Sequence, residues 1–420
     1  MQNILSKAYL APYRQQILSR IRQDHIRTVS AHQGRLFLIS TTYPGYWLEH
    51  LYDPIVWANL FPEDKDICIS QLRLFLENQR EDGMLPSYIL DNDFMQTLPS
   101  QVAKAYTGLD HCPSGISVYH RLIQECVSVA TLCLEIWELD RSQDLSWYYS
   151  CCCKWDRWLC SNRMRQGKGL VEVYCGYETG HDNSARFYGI KCPQDLCDQP
   201  MAYQDGRLPE CDVAPLICPD VNAVFYGNRM SLSKMASLLG KTEEAAEWAR
   251  KAEQVKKLIF EHCFDEKECF FFDENRWGEK IKVKSISITT LFCEGLLDQA
   301  LADQIYDRHL ADPLEFATAF PFPGLSVSDP EWKQKLPGND WGYYAQGNVA
   351  LRTIRWMKRY GREKEMRHMM ARWLEAWCRP DIRKFGQELH PVTGEPSKTS
   401  QWYSTTMLYL LSAMKELDLE

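Results

Sequence analysis

The sequence contains no long hydrophobic run, because no stretch approaches the roughly 18 uncharged apolar residues of a membrane-spanning helix. Residues 1–16 also lack the apolar segment and small-residue cleavage site of a signal peptide. There is no excess of basic residues, since 48 Lys and Arg against 56 Asp and Glu give a net charge of −8. This balance argues against a nucleic-acid-binding protein. We therefore expect a soluble, cytoplasmic protein without nucleic-acid or membrane partners.

Standard metal and nucleotide motifs are also absent. The sequence has no CxxC or HExxH pair, no GxGxxG and no phosphate loop ending in GK[ST]. Cys192, Cys197, Cys211 and Cys218 are spaced more loosely than the usual zinc ligands, which favours free buried thiols. The 17 cysteines are odd in number and include three adjacent residues at 151–153, a pattern typical of reduced thiols. We expect no metal and no cofactor.

Helical periodicity extends along the whole chain of 420 residues. Apolar residues recur at i, i+3, i+4 and i+7, which predicts helices over 64–79, 118–139, 143–162, 222–240, 242–263, 342–360, 362–378 and 401–417. Short strands are predicted over 35–40 and 269–272, and long irregular stretches over 181–213 and 309–340.

No linker rich in Pro, Gly or Ser divides the chain, so we expect one all-α domain over residues 1–420. No repeat is visible at a fixed short period, so we expect paired helices to close into a ring rather than an open solenoid.

The loop at 177–187 concentrates polar side chains between aromatic ones. It reads Tyr-Glu-Thr-Gly-His-Asp-Asn-Ser-Ala-Arg-Phe. Such a density of hydrogen-bonding groups beside aromatic rings suits a polyhydroxylated ligand. The aromatic content of 12% would also serve stacking on sugar rings, although a large core explains it as well. A helix cap formed by Asp182 or Ser184 is the competing interpretation, and composition alone slightly favours it.

Residues 178–186 resemble the Glu-Ser-Gly-x-Asp-Asn-Ser-x-Arg signature of glycoside hydrolase family 63, which is related to the trehalases. Weaker matches occur in the family's order. Residues 79–86 resemble its Gln-x-x-Asp-Gly-x-x-Pro turn, 220–223 its Asp-Leu-Asn-Ala helix start, and 388–394 its Glu-x-Tyr-x-Pro-x-Thr-Gly segment. Gln124 stands where the family has Gln-Pro-Pro. The resemblance covers most of the chain and implies an (α/α)6 barrel, a toroid of six helical hairpins, with long active-site loops.

The resemblance also implies the catalytic groups. The family's general acid corresponds to Asp182 and its general base to Glu388, 206 residues later, so only a closed fold can bring them together. An inverting hydrolase needs one protonated carboxyl for the leaving oxygen and one carboxylate to activate water. We expect burial among aromatics to keep Asp182 protonated, and a wetter turn to keep Glu388 ionised. Without the resemblance, Glu388 is typical of an exposed acid beside a turn.

One departure from the family pattern concerns its Trp-x-Trp-Asp segment, whose Asp holds hydroxyls of the non-reducing sugar. This chain has residues 43–53 at that place, where Glu49, His50 or Asp53 could take the role. The residues themselves do not decide among the three.

A second departure concerns the family's Tyr-Trp-Arg-Gly-Pro, which becomes residues 340–347 here. The Arg is missing, and Gln346 is the nearest polar substitute. Both changes leave the acid and base in place and put the sugar's identity in doubt, unless they are drift without a change of substrate.

The sequence thus predicts an inverting, exo-acting α-glycosidase for a short α-glucoside or α-mannoside, such as a glycosylglycerate or a small α-gluco-oligosaccharide. The alternatives are a trehalase-like disaccharide hydrolase and a non-catalytic sugar-binding relative. The expected partner is a small carbohydrate, and the oligomeric state is left open. The residues expected to contact the sugar are Tyr46, Trp47, His50, Asp53, Gln124, Glu178, His181, Asn183, Arg186, Trp341, Gln346 and Trp402.

Overall fold

A computed structural model describes residues 5–32, 34–101, 104, 114–120, 122–187, 215–397 and 400–420. In this part of the chain the helices are α1 Lys7–Arg20, α2 Tyr52–Leu60, α3 Lys65–Glu77, α4 Asn92–Met95, α5 Val129–Leu139, α6 Leu145–Asn162, α7 Pro219–Leu238, α8 Thr242–Cys263, α9 Thr289–Cys293, α10 Gln299–Ile305, α11 Gly347–Arg359, α12 Glu363–Trp377 and α13 Ser404–Glu416. Most of these agree with the predicted segments within a few residues. From residue 188 onward, the loop predicted at 181–213 lies outside the described residues, and so do Cys192, Cys197 and Cys211.

Polar side chains set several helix starts. The Ser128 hydroxyl accepts a hydrogen bond from the N–H of Thr131 at the start of α5, and the Asp144 carboxylate accepts one from Trp147 at the start of α6. Each cap satisfies one of the backbone donors that a helix leaves unpaired at its first turn. Helix α8 begins without such a cap, because Thr242 is its first residue and Lys241 stands at the capping position without a capping hydrogen bond.

In the described part of the chain six helices form a ring, which a seventh helix, α3, closes. Neighbouring contacts run from α2 to α13, α11, α9, α7 and α5, and α3 connects α5 back to α2. The longer remaining helices pack outside, with α6 on α5, α8 on α7, and α12 on α11 and α13. Burial follows this arrangement, because α13 is buried throughout 404–414 whereas α8 buries one stripe of five residues.

The inside of the ring contains a cavity of about 30 Å³, lined by side chains of α2, α5, α9 and α11. Its volume suits one or two water molecules rather than a sugar. Among the described residues, no helix combines the length and the apolar character needed to cross a bilayer.

The segment 118–139 departs from the predicted single helix. Its first residues belong to a strand that ends at Tyr119, and α5 begins only at Val129. The apolar residues between them, Leu122 and Ile123 among others, are buried in irregular chain. The apolar residues between the strand and α5 therefore reflect burial of irregular chain and not a helix. The helical part of this segment, α5, belongs to the inner ring.

Short antiparallel strands fix the segments between helices. β1 Ile26–Thr28 pairs with β2 Leu36–Leu38, and β3 Gly45–Trp47 pairs with β4 Tyr88–Asp91, which pairs with β5 Ile116–Tyr119. A four-stranded sheet has the order β11 Lys280–Ile281, β10 Asp273–Glu274, β7 Leu216–Ile217, β6 Glu172–Val173. β8 Phe264–Asp265 pairs with β9 Phe270–Phe271, and β12 Ala345–Gln346 with β13 Glu388–Leu389. The register of the last pair sets Gln346 directly opposite Glu388.

The closed ring predicts that two Leu→Ala substitutions lower the free energy of unfolding by very different amounts. Leu408 in α13 is completely buried, whereas Leu238 at the end of α7 is 48% exposed. Leu408→Ala should lower the free energy of unfolding by about 2–5 kcal/mol, because it removes packed atoms and leaves a cavity. Leu238→Ala, the matched control, should change it by less than about 0.5 kcal/mol. Urea unfolding measures both, and equal losses would contradict the inner position of α13.

Candidate active site

Glu178 fixes the loop that carries Asp182. Arg163 donates two hydrogen bonds to the Glu178 carboxylate, at 2.6 and 3.0 Å, and the N–H of Tyr174 donates a third at 2.8 Å. Gly180 then turns the chain with a φ of 72°, a conformation that favours glycine. Because Glu178 is fully buried and these donors surround it, its carboxylate holds the loop rather than reaching a ligand.

Arg186 is committed to the protein in a similar way. Its Nε and both Nη atoms donate four hydrogen bonds of 2.6–2.8 Å to the carboxylates of Asp220 and Asp273. The residue is only 2% exposed. Its hydrogen bonds tie residues 178–186, here called the acid loop, to the start of α7 and to β10. Cys218, Asp220 and Asp273 bring metal-type donor atoms close together. The guanidinium already lies between the two carboxylates as their cation, so this group does not fit a metal.

Burial and a second acid favour the protonated form of Asp182. Its Oδ2 lies 3.5 Å from Nδ2 of Asn339. Burial, together with the negative charge of Glu49, raises the pKa of Asp182 from its ordinary 3.8 to about 7, against a smaller opposing effect of the Asn339 bond. A carboxyl with such a pKa still carries its proton near neutral pH, as a general acid requires.

Glu388 is completely buried, so the predicted wetter environment is wrong. Its Oε1 accepts hydrogen bonds from the N–H of Asp340 at 2.9 Å and from Nε2 of Gln346 at 2.7 Å. Its Oε2 has no hydrogen-bond partner among the described residues. Burial raises the pKa of Glu388, and the donors around it, Gln346 foremost, partly offset this shift. The arrangement leaves one oxygen free to take a proton.

Two consecutive residues connect the carboxyl groups that lie 206 positions apart. The Asn339 side chain contacts Asp182, and the N–H of the next residue, Asp340, donates to Glu388. Nδ2 of Asn183 donates to the Asn339 carbonyl at 3.1 Å. The Asp340 carboxylate accepts hydrogen bonds from three N–H groups of its own loop, which fixes the loop's shape. The fold therefore brings the acid and base of the sequence prediction to one place.

Aromatic rings flank the acid loop. His181 stacks on Trp341, with ring centroids 4.3 Å apart and planes inclined by 13°. Trp47 stacks on Tyr88 at 4.6 Å and meets the edge of Tyr177 at 6.1 Å. Burial, followed by the charge of the nearby Arg186, lowers the pKa of His181 to about 3, so its ring is neutral at ordinary pH.

Several buried polar atoms of the predicted site have no hydrogen-bond partner among the described residues. They are Trp47 Nε1, Gln124 Oε1, His181 Nδ1 and Glu388 Oε2. A buried polar atom left unpaired costs about 1–3 kcal/mol, so each such atom needs an explanation. A hydroxyl-rich ligand would satisfy both the donor and the acceptors in this group.

Of the three candidates for the family's sugar-binding Asp, Glu49 faces the acid loop. A β-carbon at Gly180 would meet the Glu49 carboxylate. Asp53 instead accepts hydrogen bonds from the hydroxyls of Ser404 at 3.0 Å and Thr405 at 2.7 Å, so its carboxylate joins α2 to α13. The sequence left all three residues open for this role, although only His50 and Asp53 were named among the expected sugar contacts. In the structure Glu49 is the acid that reaches the loop.

Two predicted sugar contacts lie elsewhere. Successive side chains of β3 point to opposite faces, so Tyr46 and Trp47 face different sides. The Tyr46 hydroxyl donates a hydrogen bond to Asp91 at 3.1 Å. Trp402 packs against the Arg20 guanidinium, which lies 4.8 Å from the ring centroid. The next residue, Tyr403, turns inward instead.

Sequence reasoning missed three polar residues that complete the site. Asn339 bridges toward Asp182, and Nε2 of Gln387 donates to Asn339 Oδ1 at 3.4 Å. The hydroxyl of Tyr403 lies 3.1 Å from Nε2 of His50. Each is adjacent to, or within two residues of, a predicted site residue, and only the direction of the side chain was not readable from the sequence.

Comparison with known proteins agrees with this geometry. A model of the mannosylglycerate hydrolase MGH1-like glycoside hydrolase domain matches residues 57–406. The chain belongs to this family of glycoside hydrolases. It is thus an enzyme that hydrolyses glycosidic bonds, and the resemblance to glycoside hydrolase family 63 is confirmed. A search of curated protein sequences finds no match.

Solved structures agree with the fold. The family 63 mannosylglycerate hydrolase of Thermus thermophilus, in complex with glucose, has 19% sequence identity and a TM-score of 0.69, with 97% of this chain and 100% of that one covered. Its complex with Tris and D-glycerate has 18% identity and a TM-score of 0.69, with 96% and 99% covered. Neutral trehalase Nth1 of Saccharomyces cerevisiae has 13% identity and a TM-score of 0.64, with 91% and 74% covered. The predicted (α/α)6 barrel is confirmed.

The cluster of Arg186 with two acids predicts a strong stability effect. Arg186→Met leaves Asp220 and Asp273 buried without their cation, which should cost about 3–5 kcal/mol of unfolding free energy. Arg250→Met is the control, since its ion pair with Glu247 is largely exposed to solvent and should contribute little to stability. Chemical denaturation compares the two variants. A loss at Arg186 as small as that at Arg250 would contradict the structural role.

Proposed function

We propose that this glycoside hydrolase is an inverting, exo-acting α-glycosidase that cleaves a short α-glucoside or α-mannoside. Asp182 is its general acid and Glu388 its general base. One observation supports the proposal most strongly. Asp182 contacts Asn339, Glu388 contacts the next residue, Asp340, and the pKa of Asp182 is raised to about 7.

Asp182 supplies the proton for the leaving oxygen. A glycosidic oxygen leaves as an alcohol only if it gains a proton as the bond breaks, so the acid must hold its proton at working pH. A solvated Asp would be ionised there, whereas burial and Glu49 keep Asp182 partly protonated.

Glu388 removes a proton from water. Its Oε2 is the atom available for this step, while Oε1 is held by Asp340 and Gln346. Because burial raises its pKa, Glu388 is a stronger base than a solvated glutamate once it is ionised. In an inverting enzyme the acid and base are about 6.5–9.5 Å apart, which leaves room for the water.

The size of the fold and the relatives support the proposed substrate class. The chain spans nearly the full length of the Thermus mannosylglycerate hydrolase, whose structures contain glucose or D-glycerate. A glycosylglycerate or a small α-gluco-oligosaccharide is therefore the proposed substrate. Trp47, Gln124 and His181 present the unpaired polar atoms that would meet its hydroxyls.

Removing either carboxyl group should abolish most activity by different routes. Asp182→Asn and Glu388→Gln should each lower kcat about 10²- to 10⁴-fold. A substrate with a good leaving group needs little protonation, so it should partly rescue Asp182→Asn and leave Glu388→Gln inactive, although added azide could rescue the latter. Glu395→Gln removes an exposed acid from the same loop as Glu388 and should keep full activity. Full activity in either site variant would end the assignment.

The pH dependence should be bell-shaped. Activity requires ionised Glu388, so it should fall as the pH drops through that group's raised pKa, above the ordinary 4.5. It also requires protonated Asp182, so it should fall as the pH rises beyond about 7. Measured kcat/KM across pH checks both limbs. An alkaline limb that survives unchanged in Asp182→Asn, assayed with an activated substrate, would show that another group sets it.

A further inference from the structure

Glu49 occupies a confined position between a histidine and the acid loop. It lies in the turn Leu48–Leu51, between β3 and α2, and its side chain is 17% exposed. Oε1 is 3.2 Å from Nε2 of His50, and Oε2 is the atom that a β-carbon at Gly180 would meet first. Gly180 precedes Asp182 by two residues, so the Glu49 carboxylate borders the loop of the acid.

We propose that Glu49 is a positioning residue whose negative charge keeps the proton on Asp182. The inference rests on the proposed role of Asp182 as the general acid. Two nearby carboxylates that share a site poor in water cannot both ionise readily, so a charge on one holds a proton on the other. Among the described residues, Glu49 is the charged group that raises the pKa of Asp182, after the effect of burial.

The two acids have different neighbours. Glu49 has His50 at hydrogen-bonding distance, and Arg352 donates to its backbone carbonyl at 3.4 Å. Burial opposes the charged form of His50, but Glu49 and then Asp53 outweigh it and raise its pKa, so His50 is a suitable counter-ion. Asp182, by contrast, meets a neutral group, the Asn339 amide, at 3.5 Å.

The other titratable groups near this pair do not replace Glu49. His181, on the acid loop, is neutral because its pKa is lowered to about 3. Cys126 and Tyr403 have raised pKa values through burial and are neutral too. Asp53 lies beyond His50, with 4.0 Å between its Oδ2 and His50 Nδ1, and is held by α13.

Direct titration of Asp182 tests the proposal without relying on activity. The carboxyl carbon of Asp182 is followed by ¹³C NMR in the full chain labelled at aspartate, with its signal assigned by loss in Asp182→Asn. The wild-type midpoint should lie near 7. Glu49→Gln keeps the size and the oxygen acceptor for His50 but removes the charge. It should lower the midpoint by about one pH unit, a tenfold change in acid dissociation.

The alkaline limb of the rate should move to lower pH by the same amount in Glu49→Gln. Glu49→Asp keeps the negative charge, so it should bring the Asp182 midpoint most of the way back to its wild-type value. A purely structural effect of the substitution would not predict this recovery. Asp53→Asn is the matched control, because it removes an acid from the same segment on the far side of His50, and it should leave the midpoint in place. Glu49→Ser replaces Glu49→Gln if the latter does not fold.

An unmoved Asp182 midpoint in a folded, uncharged Glu49 variant would overturn the proposal, as would an equal shift in Asp53→Asn. Failure of the proposed function gives a different result. In that case Asp182→Asn would remain active, while the titration would still report whether Glu49 and Asp182 are coupled.

Discussion

Removal of water from carboxyl groups is the constraint on which the site depends. A carboxylate that loses its water must gain hydrogen-bond donors, a counter-ion or a proton. Glu178 gains donors from Arg163 and Tyr174, and Asp220 and Asp273 gain Arg186. These saturated acids give the loop around residues 178–186 its shape. The acids left less saturated are the ones available for chemistry.

Asp182 and Glu388 illustrate two outcomes of the same constraint. Asp182 has one long contact to an amide and a neighbouring negative charge, so the proton is its best compensation. Glu388 has two donors on a single oxygen, set by the strand register that puts Gln346 opposite it. Its ionised form is therefore stabilised in part, and its other oxygen stays open. The two carboxyl groups therefore have unlike surroundings, which is what the proposed acid and base roles require.

Much of this arrangement could be predicted from the sequence because it depends on pattern. Apolar periodicity predicted α3, α6, α8 and α12 to within a few residues, and the family resemblance of the loop singled out Asp182. Side-chain direction could not be predicted. Glu178 and Arg186 have the composition of ligand contacts, but only the fold reveals the partners that occupy them. Similarly, the adjacent residues Trp402 and Tyr403 point to different sides of the chain. The solvent exposure of Glu388 depends on packing by segments that are distant in sequence.

The configuration of the first sugar released tests the central claim most directly. An acid and a base on opposite faces of the ring deliver water from the side away from the leaving group. If Asp182 and Glu388 act in this way, ¹H NMR of an α-glycoside during the first turnovers should show the β-anomer, which then mutarotates. An α-anomer as the first product would mean a retaining mechanism and would contradict the account.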